Sequence, residues 1–145
     1  MNIPLQSKRG QARLSAMRFL YEFELNPSKD LLDAMQAHFK YLKIKDGIAG
    51  YARKLIEGSL AHKIQVDKIL EENLSNWTID RLTTIDRNVL RLGIYELVYV
   101  GDVPFSVTIN EMVEVAKQFG TADSAGFANG VLDSVRKKLE ENQDE

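Results

Sequence analysis

The sequence predicts an all-α fold in a single compact domain. Three observations carry that expectation. Apolar residues recur at helical spacing along nearly the whole chain, and the strict alternation of a half-buried strand is almost absent. The length, 145 residues, suits one domain with a real core rather than two. Hydrophobic residues at 44% and charged residues at 28% are ordinary globular values, which argues against wholesale disorder. No repeat of fixed period emerges, so a solenoid is not expected.

The first helix is predicted from about Ser7 to Leu25, on a stripe of Ala12, Ala16, Phe19, Leu20 and Phe23. Asn26-Pro27-Ser28 stops it and opens a second helix carrying Leu31, Met35, Phe39 and Leu42. After the polar link Lys43 to Gly47, a long third helix is expected from Ile48 to Leu74, on Ile48, Ala52, Leu55, Ile56, Ser59, Val66, Leu70 and Leu74. Ser75-Asn76-Trp77-Thr78 connects it onward, and Thr78 or Thr84 is a candidate cap. The fourth helix, Ile85 to Val100, is apolar almost all round, the mark of a central helix covered on several sides. Gly101-Asp102-Val103-Pro104 is a turn whose proline suits the opening of a fifth helix, Ser106 to Phe119, with Gly120 as a left-handed cap. A sixth follows from Asp123 to Leu139 on Ala128, Val131, Leu132, Val135 and Leu139. Residues 1–6 and the acidic tail 140–145 are expected to be flexible.

Several function classes lose support at once. The chain has no cysteine, which removes disulfides and thiolate metal sites and suits a reducing cytoplasm. No apolar run is long enough to span a membrane, and Met1 to Leu5 lacks the apolar stretch of a signal peptide. His38 and His62 fall on separate segments without a carboxylate pattern, so no metal site is expected. No nucleophile elbow or glycine-rich phosphate loop is present; neither catalysis nor a cofactor is expected.

The net charge is only −2, but it is unevenly spread: Lys8, Arg9, Arg13 and Arg18 open the chain without an acid among them. At about 100° per residue, Arg9 and Arg13 project from one side of the first helix, positions suited to meeting phosphates. Phe127 lies beside Gly126 and off the edge of its helical stripe, where an aromatic face can stack on an unpaired base. Asp123 begins the same helix. Tyr21 lies away from the first helix's stripe, and Asp86 with Arg87 opens the fourth helix; both suit a protein interface. Thr108-x-x-Glu111 matches a capping box, and with Asn110 is expected to serve the scaffold.

Asp86 to Leu97, Val103-Pro104, Ile109-Asn110-Glu111, Ala116 to Gly120 and Phe127 to Asp133, in that order, resemble the NusB family of bacterial transcription antitermination factors. Ala12-Arg13, Leu20-Tyr21, Gly58, Ile69 and Trp77 extend the resemblance over nearly the whole chain. It implies about six to seven helices in two packed bundles. It also implies binding of single-stranded boxA RNA together with NusE, a small-subunit ribosomal protein, in a complex that loads on RNA polymerase and supports ribosomal RNA transcription. By that resemblance Lys8, Arg9, Arg13, Asp123 and Phe127 touch RNA, while Tyr21 and Asp86 face NusE. The family's start commonly carries a denser arginine cluster, and Gly126 stands where a basic or larger polar residue is frequent. RNA binding by the chain alone is therefore expected to be weak. Two rival readings are a stand-alone version of the NusB-like domain of ribosomal RNA methyltransferases and a homodimer that pairs through the same faces.

Overall fold

In the computed structural model, which describes residues 7–76 and 78–143, the Ser7 hydroxyl accepts from the Gly10 backbone N–H at 3.0 Å. That bond satisfies one of the donors a helix start leaves unpaired. Helix α1 (Lys8–Leu25) follows, with Ala12, Ala16, Phe19 and Leu20 buried as the stripe predicts. Asp30 caps α2 (Leu31–Tyr41) in the same way, through the Asp33 N–H. Then come α3 (Asp46–Ala61), α4 (Lys63–Glu72), a 3-10 turn at Ile79–Arg81, α5 (Thr84–Tyr99), α6 (Phe105–Phe119) and α7 (Ser124–Gln143). No strand occurs among the described residues.

These helices form two groups. One sets α1 along α3 with α2 at its side, and the other packs α5, α6 and α7 on one another. Helix α5 joins them, touching α1, α3, α4, α6 and α7, which is why Val89, Leu90, Leu92, Ile94 and Leu97 on several of its faces are all buried. Gly93 sits at a close approach of α5 to its neighbours: a Cβ there would come within 2.9 Å of Leu132 and 3.3 Å of Met112. Gly58 does the same for α3, where an added Cβ would collide with the Tyr95 ring.

The structure corrects several sequence expectations. The long third helix is two helices, because His62 leaves helical geometry (φ −106°, ψ 22°); its ring stacks on Tyr99, centroids 4.1 Å apart. The cap of α5 is Thr83, whose hydroxyl accepts from the Asp86 N–H at 3.1 Å, rather than Thr78 or Thr84. Gly120 keeps a negative φ of −93° and so is not a left-handed cap. Because α6 starts at Phe105, Thr108 falls inside it and the capping box does not form. Helix α7 continues from Glu140 to Gln143 where fraying was expected. Residues 1–6, Trp77 and the last two residues of the tail lie outside the described residues.

Candidate nucleic-acid and partner interface

At the start of α1, Lys8 and Arg9 are exposed. Arg9 presents both terminal nitrogens to the Asp102 carboxylate, at 3.4 and 3.1 Å, and its guanidinium carbon lies 4.4 Å from the centre of the Tyr51 ring. The hydrogen bond to Asp102 raises the Arg9 pKa, and the same bond holds the Asp102 carboxyl below its ordinary range. Asp102 belongs to the turn between α5 and α6, and nothing in the sequence pattern marks it as Arg9's partner.

Arg13 does lie on the same side of α1 as Arg9, but that side faces inward. Its side chain is 2% exposed, so the expected phosphate contact is not available to it. Its Nε donates to both oxygens of Glu96 on α5 at 2.9 Å, and Glu111 on α6 lies 3.7 Å away. Thr108 and Tyr51 also donate to Glu96, at 2.5 and 2.7 Å. Burial, with the bond to Glu96, pushes the Tyr51 hydroxyl far above its ordinary range. Four helices (α1, α3, α5 and α6) thus meet on one buried carboxylate, as a charge withdrawn from water requires. Asn110 is exposed and does not reach a neighbouring helix end.

Phe127 sits on the first turn of α7, half-buried against the core. It lines an open groove of about 570 Å³ together with Glu72, Asn73, Ser75, Gly126 and Gly130. The groove's other wall is the end of α4 rather than α1. Beta carbons added at Gly126 or Gly130 would meet nothing within 4 Å, so a shelf stays open beside the ring. Asp123 is exposed, and its carbonyl accepts from the Phe127 N–H at 3.1 Å. Helix α6 leads from the turn that holds Asp102 to the segment before Asp123. Its 15 residues cover about 22 Å, so Asp102, with Arg9 on it, and Asp123 lie toward opposite ends of that helix.

Tyr21 and Asp86 are both half-buried, Tyr21 with its ring packed on the core. Arg87 does not pair with Asp86. It donates to Glu24 of α1 at 2.9 Å, within a cluster in which Asn88 and Arg91 also reach Glu24 and Arg91 grips Asp67 of α4 at 2.7 Å. Burial alone would raise the Glu24 carboxyl, yet hydrogen bonds from Arg87 and Asn88 and the charge of Arg91 outweigh it and hold the pKa low. Beneath this cluster lies a largely apolar cavity of about 290 Å³, bounded by Leu20, Phe23, Leu60 and Val66.

The model of the NusB family matches residues 10–137. The transcription antitermination protein NusB of Thermodesulfovibrio yellowstonii is 39% identical over 140 residues, covering 90% of this chain and 93% of the relative. Its namesake in Myxococcus xanthus is 40% identical over 134 residues, covering 90% and 96%. Among solved structures, T. maritima NusB superposes with a TM-score of 0.83 at 33% identity, over 92% of this chain and 93% of that one. A complex of the antitermination factors NusB and NusE with double-stranded RNA contains a chain that matches with a TM-score of 0.84 at 28% identity, over 92% and 99%. With a family model spanning most of its length and relatives near 40% identity, this chain belongs to the NusB family.

Proposed function

We propose that this protein is a non-enzymatic transcription antitermination factor that binds boxA-type RNA jointly with NusE and joins the antitermination complex on RNA polymerase, in the cytoplasm. The observation that carries this reading is the correspondence of nearly the whole chain to the factor seen with NusE and RNA. Lys8 and Arg9 serve as phosphate contacts at one end of the RNA path. Phe127 offers its ring to a base at the other, and the Asp123 carboxylate accepts from a base amino group beside it. Tyr21 and Asp86 face NusE. Arg13 acts through the scaffold, holding α1 on Glu96 so that Arg9 is correctly placed.

With so few surface cations at the start of α1, phosphate contacts are scarce and the chain alone binds weakly; NusE supplies much of the affinity by completing a shared surface. Titration of labelled boxA RNA tests this, with and without NusE, using wild type and Phe127→Ala. Stacking is worth about 1–3 kcal/mol per base, so the variant should weaken RNA binding about tenfold while its melting temperature stays within a few degrees. Tight binding by the lone wild type would overturn the shared-surface reading. A large loss of thermal stability with unchanged RNA affinity would assign Phe127 to packing. Preference for the same RNA annealed to its complement would rule out stacking on an unpaired base.

A further inference from the structure

We infer that Asp102 is a built-in competitor for phosphate at Arg9, so that an RNA strand engages this end of the molecule only by displacing the carboxylate. The inference rests on the proposed role of Arg9 as a phosphate contact, and it adds the residue that sets how readily that contact is made. The two terminal nitrogens of Arg9 point at the two oxygens of Asp102, at 3.4 and 3.1 Å. This is the fork an arginine offers to a phosphate, and one set of donors does not serve both anions at once.

The surroundings decide which partner yields. Arg9 is held from below by the Tyr51 ring at 4.4 Å. That ring is fixed in turn by its hydroxyl bond to buried Glu96 at 2.7 Å. Asp102 stands on an exposed turn, its side chain 67% accessible against 43% for Arg9. The guanidinium is therefore preset and the carboxylate is the part free to swing away. An exposed ion pair is weak enough for a phosphate to exchange with it. The charge of Lys54 also reaches Asp102, so it adds to the positive field that draws a phosphate in. A polyanion with nothing else to hold it meets a neutralised Arg9, whereas a strand already anchored at Phe127 or on NusE can drive the exchange.

The test measures Kd for a short labelled single-stranded boxA RNA over a range of salt, using the full chain as wild type, Asp102→Ser, Asp102→Asn, Arg9→Gln and the double variant Arg9→Gln with Asp102→Ser. Asp102→Ser should bind about threefold tighter at low salt, the scale of one exposed ion pair. The gain should shrink as salt rises, because an exposed ion pair is screened. Asp102→Asn should move in the same direction, and the gain should vanish in the Arg9→Gln background. If Arg9→Gln weakens binding but Asp102→Ser does not tighten it, the competitor is disproved while the RNA role of Arg9 stands. A gain that persists without Arg9 would reduce Asp102 to diffuse charge and overturn the inference. No effect from Arg9→Gln would remove the phosphate contact itself, and the inference with it.

Discussion

A single carboxylate, Glu96, decides what two of the basic residues do. It takes Arg13 out of the solvent and orders Tyr51, on whose face Arg9 rests. Both Arg13 and Glu96 are at most 2% exposed. Removing one partner leaves an uncompensated buried charge, at a cost of about 3–5 kcal/mol, whereas replacing both by apolar residues of similar size is often nearly neutral. Arg13→Met and Glu96→Leu should therefore each lower the denaturation midpoint strongly, and the double variant should recover much of the loss. Additive losses in chemical denaturation would show that the pair is not the coupled unit the geometry indicates. If Arg9 depends on this support, RNA affinity should fall in Glu96→Leu even under conditions where the variant remains folded.

At the scale of the helix, α7 carries a tension between stability and access. Gly130 lies in its interior with nothing near the position a Cβ would take, although glycine there costs about 1 kcal/mol relative to alanine. Gly130→Ala should stabilise the protein by up to that amount in thermal melts. It should also weaken RNA binding, if the open shelf beside Phe127 receives a base; a stabilised variant with full affinity would leave the glycine without a functional reason. The α3–α4 break has the opposite origin. Ile48, Ala52, Leu55, Ile56, Ser59, Val66 and Leu70 keep one periodic stripe straight through it, and all are buried. Periodicity therefore gives no sign of the break at His62, which is set by packing against Tyr95 and Tyr99.

At the scale of the whole molecule, α1, α4 and α5 are tied together by the charges around Glu24 and Asp67. Glu24 titrates lower in the folded chain than in the unfolded one. Its contribution is thus fully present above the ordinary glutamate pKa and is lost as pH falls through the lower folded value. Glu24→Gln should lower stability near neutral pH and flatten the acid limb of a stability–pH curve. An acid limb identical to wild type would mean that this carboxylate is not a source of the acid sensitivity.

The helical character of the chain, the central place of α5 and the core stripes of α1 and α7 follow from where Ala, Leu, Val and Phe recur, since each such stripe must be covered. The off-stripe aromatic at Phe127 and the cationic start at Lys8 and Arg9 are equally local features. Arg13 is different: angular position on α1 put it beside Arg9, but only the fold decides whether that side meets water or the carboxylate of Glu96, 83 residues away. The same holds for Asp102, which reaches Arg9 across 93 residues of chain, and for the division of α3 from α4. Side-chain periodicity follows from near neighbours along the helix, whereas burial, charge pairing and helix breaks depend on what other segments bring alongside, and that is set only once the helices have packed.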